Sequence, residues 1–386
     1  MNNMIYLDHA ATTPVSESVL EAMLPYFSEH PGNASAVYGA GRDTRKAVEK
    51  ARKQTAEAIG AEPREILFTG GGSESDNLAI KGTAFALKNE GRHIITTAIE
   101  HPAVLNSCKW LSCQGFDITY ILPDREGRIE PEQIRKAIRQ DTILISVMAA
   151  NNEIGTIEPV AEIGHIAHGH GILFHTDAVQ AAGFVPVNVN QWNADLLSIS
   201  AHKFYGPKGV GALYVRRGTR LDPLIHGGEQ ERSLRAGTEN VPGIVGLGKA
   251  IEEATGSLAA NALRITALRD RLIKGILAAV PDAKMNGPET GRLPNNCSVC
   301  FERIDGEALL LRLDLAGVAG SSGSACTAGS QKVSHVLKAI GLTEEQAKGS
   351  LRLTAGTGNT EEEIDLAISK IKEIVEDLRR MYHPVK

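Results

Sequence analysis

Between residues 64 and 215, short apolar runs rich in β-branched residues alternate with amphipathic stretches. This alternation is typical of βα units, in which helices join neighbouring parallel strands and cover the faces of a sheet. The predicted strands are EILFT, HIITTA, ITYIL, TILISVMA, GILFHT, DLLSIS and VGALYV. The pattern therefore predicts an α/β domain built on a mostly parallel, seven-stranded sheet flanked by helices.

The length of the chain predicts a second domain, because 386 residues exceed the size at which a single core stops growing. Apolar spacing without proline from Ala250 to Ala279 predicts one long helix that connects the two. We expect a large domain over residues 15–255 and a smaller α+β domain over residues 256–386. Residues 1–14 are expected to pack on the smaller domain.

Charge and hydropathy argue against two classes of partner. The chain has 41 basic and 46 acidic residues, a net charge of −5 and no long Lys/Arg tract, so nucleic acid is not an expected partner. A run of roughly 18 uncharged apolar residues, as a membrane span requires, is missing from the sequence, and its first residues do not resemble a secretion signal. We expect a cytoplasmic protein whose five cysteines are thiols.

Several predicted strands end directly in polar or glycine-rich segments, and in open α/β sheets such segments converge on a ligand crevice. GGGSESDN follows the first strand and precedes a helical run, with Ser73 as the candidate N-cap. Glycines such as Gly72 would allow the backbone to approach a phosphate. A tight turn without any phosphate explains this motif equally well.

Asp177 and Lys203 follow two neighbouring strands of the predicted sheet. They could form a structural ion pair. They are also the two groups that a pyridoxal cofactor requires, an amine for the Schiff base and an acid facing the pyridine nitrogen. His101 follows another strand, where its imidazole could act as a general acid or base, although any of the twelve histidines could be an ordinary one.

Cys326 lies in SSGSACTAGS, whose small residues predict an exposed, mobile loop with an accessible thiol. Cys108 and Cys113 are interpreted as helix packing, and Cys297 and Cys300 as residues on opposite faces of a strand. A single CxxC without a second pair does not indicate zinc, and the neighbouring histidines at positions 165, 168 and 170 suit a helix C-terminus better than a metal. We predict no metal site.

Nine motifs along the chain resemble the cysteine desulfurases of the NifS/IscS type, which belong to the class V aminotransferase group. They are YLDHAATTP, GGGSESDN, EHPAVL, ANNEIGT, FHTDAVQ, SAHKFYGPKGVG, RAGTEN, SSGSACTAGS and TEEEID. The resemblance spans almost the whole chain. It implies the pyridoxal-phosphate fold of type I and a homodimer whose active sites lie near the subunit interface.

The resemblance also implies roles for individual residues. Lys203 would carry pyridoxal 5'-phosphate, His101 would stack on its ring, Asp177 would face the ring nitrogen and Gln180 the phenolic oxygen. The phosphate would be held by Gly72, Ser73, Ser200 and His202, and by Thr238 from the other subunit. Asn152 and Arg352 would bind the carboxylate of the substrate, a role for which an arginine is chemically suited although a single arginine is by default a surface residue.

The implied reaction converts L-cysteine to L-alanine and leaves the sulfur on Cys326 as a persulfide, for delivery to an acceptor protein such as an iron–sulfur scaffold or a tRNA-thiolation enzyme. A selenocysteine lyase, an ordinary aminotransferase and a non-catalytic sulfur-scaffold subunit are the alternatives. The sequence departs from the family at Ser73, where threonine is usual, at Tyr38, where histidine is common, and at Thr357, where arginine is frequent. The last two departures affect the expected substrate pocket rather than the class of reaction.

Overall fold

A computed structural model describes residues 4–322 and 333–382 of the chain. The strands are β1 (Ile5–Tyr6), β2 (Ile66–Thr69), β3 (His93–Thr97), β4 (Asp117–Ile121), β5 (Thr142–Ser146), β6 (Leu173–Asp177), β7 (Leu196–Ser200), β8 (Gly211–Val215), β9 (Ala283–Met285), β10 (Asn296–Phe301), β11 (Val318–Ala319) and β12 (Ser350–Thr354).

The α-helices are α1 (Glu17–Met23), α2 (Pro25–Ser28), α3 (Gly39–Ile59), α4 (Gly72–Asn77), α5 (Thr83–Leu87), α6 (Pro102–Ser112), α7 (Pro131–Ala137), α8 (Val160–Gly169), α9 (Val241–Gly256), α10 (Leu258–Ala279), α11 (Gly306–Leu315), α12 (His335–Ala339), α13 (Glu344–Lys348) and α14 (Glu361–Tyr382). A π-helical turn at Leu78–Gly82 joins α4 to α5, so that one helical segment runs from residue 72 to residue 87. Short 3₁₀ turns lie at Pro63–Glu65 and Ala201–Lys203.

The largest sheet contains the seven predicted strands in the order β2-β8-β7-β6-β5-β3-β4. Neighbours from β4 across to β7 are parallel, whereas β8 runs antiparallel to both β7 and β2. Every residue of β3, β5, β7 and β8 is buried, as expected of a sheet with helices on both faces. The predicted α/β fold is confirmed.

A second group of elements follows the sheet in sequence. Strands β12, β10 and β9 form an antiparallel sheet, on which α10 packs, while α14 packs against α10 and α11. Strand β1 pairs in parallel with β11, and the fully buried Leu7 follows it. The division at residues 255 and 256 stays a prediction.

The prediction of a single long helix from Ala250 to Ala279 is wrong, since the structure has two helices that meet at Ser257. The hydroxyl of Ser257 donates to the carbonyl oxygen of Glu253 at 2.8 Å, and Gly256 precedes it. Glycine has low helix propensity, and a serine side chain that bonds to the backbone competes with the regular helical pattern. The apolar spacing continues through this break, which is why periodicity alone did not reveal it.

Three of the four cysteines in the described residues are buried. Burial raises the pKa of the Cys108 and Cys297 thiols to about 12, which keeps both protonated and unreactive. Cys113 is exposed, so its assignment to helix packing is wrong; it follows the last residue of α6, where the helix ends. Across the described ranges, none of the helices is long and apolar enough to cross a bilayer.

Candidate active site

A cavity of about 820 Å³ opens at the carboxyl ends of the sheet strands, a volume within the usual range for small-molecule sites. Its walls come from the segments that follow β2, β3, β5, β6 and β7, from the N-terminal segment and from β12. Ten of the predicted site residues line it, namely Gly72, Ser73, His101, Asn152, Asp177, Gln180, Ser200, His202, Lys203 and Arg352. The sheet thus brings together residues that are up to 280 positions apart in sequence.

Lys203 is the last residue of the 3₁₀ turn that follows β7. Its Nζ donates to the carbonyl oxygens of Ala10 and Ala11, each at 2.7 Å. These two carbonyl oxygens position the amine inside the cavity. The other interpretation of the sequence, a structural ion pair with Asp177, stays a hypothesis.

Asp177 ends β6 with a side chain that is 5% exposed. Its Oδ1 accepts a hydrogen bond from the backbone N–H of Val179 at 2.9 Å. Burial raises the pKa of this carboxyl, and His101, when it is protonated, and Lys203 act in the opposite direction. A buried carboxylate of this kind favours a cationic group placed against it.

His101 is the N-cap of α6, and its Nδ1 accepts from the backbone N–H of Ala103 at 3.1 Å. Pro102, at the first helical position, has no N–H to satisfy. Burial lowers the pKa of His101, so the ring is neutral near pH 7. With Nδ1 as the acceptor, the neutral ring carries its hydrogen on Nε2.

The glycine-rich turn departs from the prediction in one detail, because Gly71 and not Ser73 is the N-cap of α4. Gly71 has a φ of 146°, a conformation that favours glycine. No side chain caps this helix, which leaves the backbone N–H groups of its first turn without a capping acceptor. This turn includes Ser73 and lines the cavity. The arrangement can hold an anion through backbone N–H groups and the Ser73 hydroxyl.

Arg352, on β12, is almost fully buried and already holds a carboxylate. One of its terminal nitrogens, Nη2, lies 2.9 Å from Oδ1 of Asp8, and Nη1 donates to the backbone carbonyl of Asn152 at 3.0 Å. Its Nε has no hydrogen-bond partner among the described residues. Asn152 thus contacts the arginine through its backbone rather than through its amide.

Two predicted site residues are not among these ten. Thr238 is exposed and does not line the cavity of this chain. Cys326 lies outside the described residues. Of the two departures that concern the substrate pocket, Tyr38 is exposed at the start of α3, and the backbone N–H of Thr357 donates to the Tyr205 hydroxyl at 2.7 Å.

The sequence profile of class V aminotransferases matches residues 5–366. The chain belongs to this family. It is 55% identical over 380 residues to the cysteine desulfurase IscS of Methanosarcina thermophila, covering 98% of this chain and 94% of that one. The solved structure of a NifS-like protein superposes with a TM-score of 0.92 at 41% identity, covering 97% of this chain and all of the other. The structure of SspA in complex with cysteine has a TM-score of 0.82 at 41% identity, with 92% and 100% coverage.

Class V aminotransferases are pyridoxal-phosphate enzymes, and the residues of the cavity fit that cofactor. They supply an amine at Lys203, a buried carboxylate at Asp177, a neutral imidazole at His101 and an anion site at the start of α4. One ligand atom from each of Asp76, His101 and Asp177 lies within 4.8 Å of the others, a geometry that a cation could also use. The prediction that no metal binds stays a prediction.

The sequence interpretation overlooked the N-terminal segment as a working part of the site. Besides the contacts to Lys203 and Arg352, the carbonyl of Ala10 accepts from Nε2 of Gln180 at 3.0 Å, and Nδ1 of His202 lies 3.1 Å from Oγ1 of Thr12. Backbone carbonyls have no signature in a sequence. Only the charge of Asp8, within YLDHAATTP, could have indicated the partner of a buried arginine.

Two buried acids at the cavity were also overlooked, Asp76 and Glu153. Burial raises the pKa of Glu153 to about 7, although the Ser334 hydroxyl donates to its Oε2. Asp76 lies one residue after Ser75 in GGGSESDN, a polar motif in which the sequence does not distinguish buried from exposed acids.

Proposed function

We propose that this chain is a cysteine desulfurase that binds pyridoxal 5'-phosphate in the 820 Å³ cavity and transfers the sulfur of L-cysteine to Cys326. The observation that carries the proposal is the convergence of Lys203, Asp177 and His101 on one cavity in a chain that is 55% identical to a cysteine desulfurase over nearly its full length. No second function is favoured by a particular contact.

Each residue of the cavity has a defined task in this proposal. Lys203 would carry the cofactor, which when bound supplies an electron sink that acidifies the Cα–H of the substrate. Asp177 would lie against the ring nitrogen and Gln180 against the phenolic oxygen, using the amide hydrogen that Ala10 does not bind. The phosphate would rest on the first turn of α4, with Gly72, Ser73, Ser200 and His202.

The proton transfers are assigned to two bases. The amine of Lys203, once released from the cofactor, takes the proton from Cα. His101, held neutral by its buried position, would take the proton of the Cys326 thiol at Nδ1, in a step that releases this nitrogen from the N–H of Ala103. The Cys326 thiolate then attacks the sulfur of the substrate, so that an S–S bond forms as the C–S bond breaks. The remaining three-carbon fragment gains protons and leaves as alanine.

Arg352 and Asn152 would bind the carboxylate of cysteine. Because Asp8 and the carbonyl of Asn152 each use one hydrogen of a terminal nitrogen of Arg352, the substrate would bind the second hydrogens of Nη1 and Nη2. The charge of Asp8 limits how strongly the arginine attracts any anion, which favours exchange of substrate over tight retention.

The proposal extends to the assembly and its surroundings. A homodimer would place Thr238 of one subunit near the phosphate site of the other, which agrees with its exposure in a single chain. An acceptor protein, such as an iron–sulfur scaffold or a thiolation enzyme, would take the persulfide sulfur from Cys326. We place these steps in the cytoplasm.

The test is release of sulfide and alanine from L-cysteine in the presence of a thiol reductant, compared between the native protein, Cys326→Ala and Cys113→Ala. We expect the native protein and the Cys113 variant to be yellow and to form alanine and sulfide in equal amounts. Cys326→Ala should keep the colour and lose turnover. Equal activity of Cys326→Ala on cysteine would show that Cys326 is not the sulfur acceptor, and a colourless native protein would reject the cofactor.

A further inference from the structure

Two carboxyl groups share the floor of the cavity, and the proposed mechanism uses only one of them. Asp76, on α4, is 1% exposed, and its closest ligand atom lies within 4.8 Å of those of Asp177 and His101. Its Oδ1 has no hydrogen-bond partner among the described residues. Two buried carboxylates at this separation repel each other strongly, so one of them retains a proton.

The surroundings differ between the two acids in a way that assigns the proton. Asp177 accepts a backbone N–H from Val179 at 2.9 Å and lies in the field of the Lys203 amine. Asp76 is influenced by no cation: the charges that act on it are those of Asp177 and Glu100. The negative charge is therefore more stable on Asp177, and the proton on Asp76.

The remaining titratable neighbour of Asp76 is His175 on β6, whose Nε2 lies 3.7 Å from Oδ1 of Asp76. This ring is fully buried and lies between two hydroxyls, with Ser146 Oγ 2.8 Å from Nδ1 and Ser198 Oγ 3.1 Å from Nε2. Burial lowers the pKa of His175 to about 3, so it is neutral and cannot offset a charge on Asp76. Ser198 also hydrogen-bonds to the Asp76 side chain. The acid is thereby connected to the neutral groups of Ser146, His175 and Ser198.

We propose that Asp76 is a positioning residue that keeps its proton at neutral pH and thereby fixes the single negative charge of the pair on Asp177. Its role is electrostatic: with Asp76 neutral, Asp177 is the ionised acid that the ring nitrogen meets. This inference deepens the proposed function and rests on the cofactor role of Asp177. The protonation of Asp76 itself can be measured independently of activity.

The experiment is infrared difference spectroscopy of the full-length protein, prepared with bound cofactor and labelled with ¹³C-aspartate. Labelling shifts the carbonyl band of a protonated aspartic acid and leaves the bands of buried glutamic acids unmoved. We expect such a band in the native protein at neutral pH, its loss in Asp76→Asn, and its retention in Asp177→Asn. Glu158→Gln is the matched control: it removes a buried acid outside the cavity and should leave the aspartic band unchanged.

Cofactor affinity gives a second measurement. Asn is a neutral isostere of a protonated Asp, so Asp76→Asn should change the affinity for pyridoxal 5'-phosphate by no more than about threefold. A loss beyond about tenfold would indicate that Asp76 works as an anion, and would overturn the proposal. So would survival of the aspartic band in Asp76→Asn, or its absence from the native protein.

Two further outcomes are distinguishable. If Asp76→Asn does not fold, Asp76→Glu decides: it should replace the labelled aspartic band by an unlabelled one, and a labelled band that survives there would place the proton on another aspartate and reject the inference. If the native protein binds no pyridoxal phosphate, the proposed function fails, while the infrared bands still report which aspartate holds the proton.

Discussion

At the scale of single residues, a buried ion pair of arginine and glutamate joins α3 to the segment after β8. Arg52 is held by Glu231 through two hydrogen bonds of 2.8 Å, and Glu231 also accepts the backbone N–H of Phe68 at 3.1 Å. Both side chains are below 10% exposure. The pair ties a surface helix to the first strand of the large sheet.

Glu231→Gln should lower the free energy of unfolding by about 3 kcal/mol, because it leaves the Arg52 guanidinium buried without a counter-charge. Urea unfolding followed by circular dichroism measures this change. Glu49→Gln is the control: Glu49 contacts the same arginine but is more than half exposed, so its loss should cost less than about 1 kcal/mol. Equal effects of both variants would contradict the assignment of the stability to the buried contact.

Glu158 predicts a dependence of stability on pH. Burial raises its pKa from 4.5 to about 8, although the N–H of Ile129 donates to it at 2.9 Å. Between these two values the folded chain holds a proton that the unfolded chain has released, so this residue's contribution to stability falls as pH rises, by about 1.4 kcal/mol per pH unit.

Glu158→Gln removes that term. The free energy of unfolding of Glu158→Gln minus that of the native protein should therefore increase steadily from about pH 5 to about pH 8. Urea midpoints at several pH values test this, with Glu21→Gln, an exposed acid on α1, as the control that should follow the native curve. A constant difference between Glu158→Gln and the native protein across this range would contradict the prediction.

At the scale of elements, α8 lies so close to the turn before β7 that one of its residues has no room for a side chain. A Cβ on Gly164 would lie 1.9 Å from the backbone oxygen of Trp192. Gly164→Ala should therefore displace the helix and destabilise the protein by about 3 kcal/mol. Gly169→Ala, in the same helix with nothing within 4 Å, should be neutral or stabilising by about 0.5 kcal/mol.

Thermal unfolding of the two glycine variants decides between close packing and helix propensity. If propensity dominated, both alanine substitutions would stabilise α8, since alanine is the better helix former. A lowered midpoint for Gly164→Ala alone is the expected result.

At the scale of the whole molecule, the N-terminal segment connects the two-stranded sheet of β1 and β11 to the cavity. Leu7 is fully buried and precedes Asp8, Ala10 and Ala11, which bind Arg352 and Lys203. Leu7→Ala should lower the free energy of unfolding by about 3 kcal/mol. It should also weaken binding of pyridoxal phosphate, because the acceptors of Lys203 lose their support. Met4→Ala, at an exposed position, is the control and should change neither measurement.

Separate effects would be informative. If Leu7→Ala destabilised the protein but left cofactor affinity at the native value, the carbonyls of Ala10 and Ala11 would be held by Gln180 and Lys203 themselves rather than by the packing of Leu7.

The sequence by itself determined the seven strands, their α/β arrangement and most of the residues that meet in the cavity. Strand composition and the polar segments after each strand are local features, and parallel strands necessarily bring their carboxyl ends to one edge. For Lys203, Asp177 and His101, position at a strand end therefore predicted a shared crevice, while their choice among the other lysines, aspartates and histidines came from the resemblance of nine motifs to a known family.

Only the tertiary structure decided what depends on distant contacts. The bond of Asp8 to Arg352 spans 344 residues, the acceptors of Lys203 are backbone carbonyls, and the pairing of Asp76 with Asp177 depends on how α4 packs on β7 and β8. The break at Ser257 and the exposure of Cys113 were missed for a similar reason, since periodicity records apolar spacing but not where a helix ends. Burial is what turns these acids, amines and carbonyls into partners, and burial is a property of the folded chain.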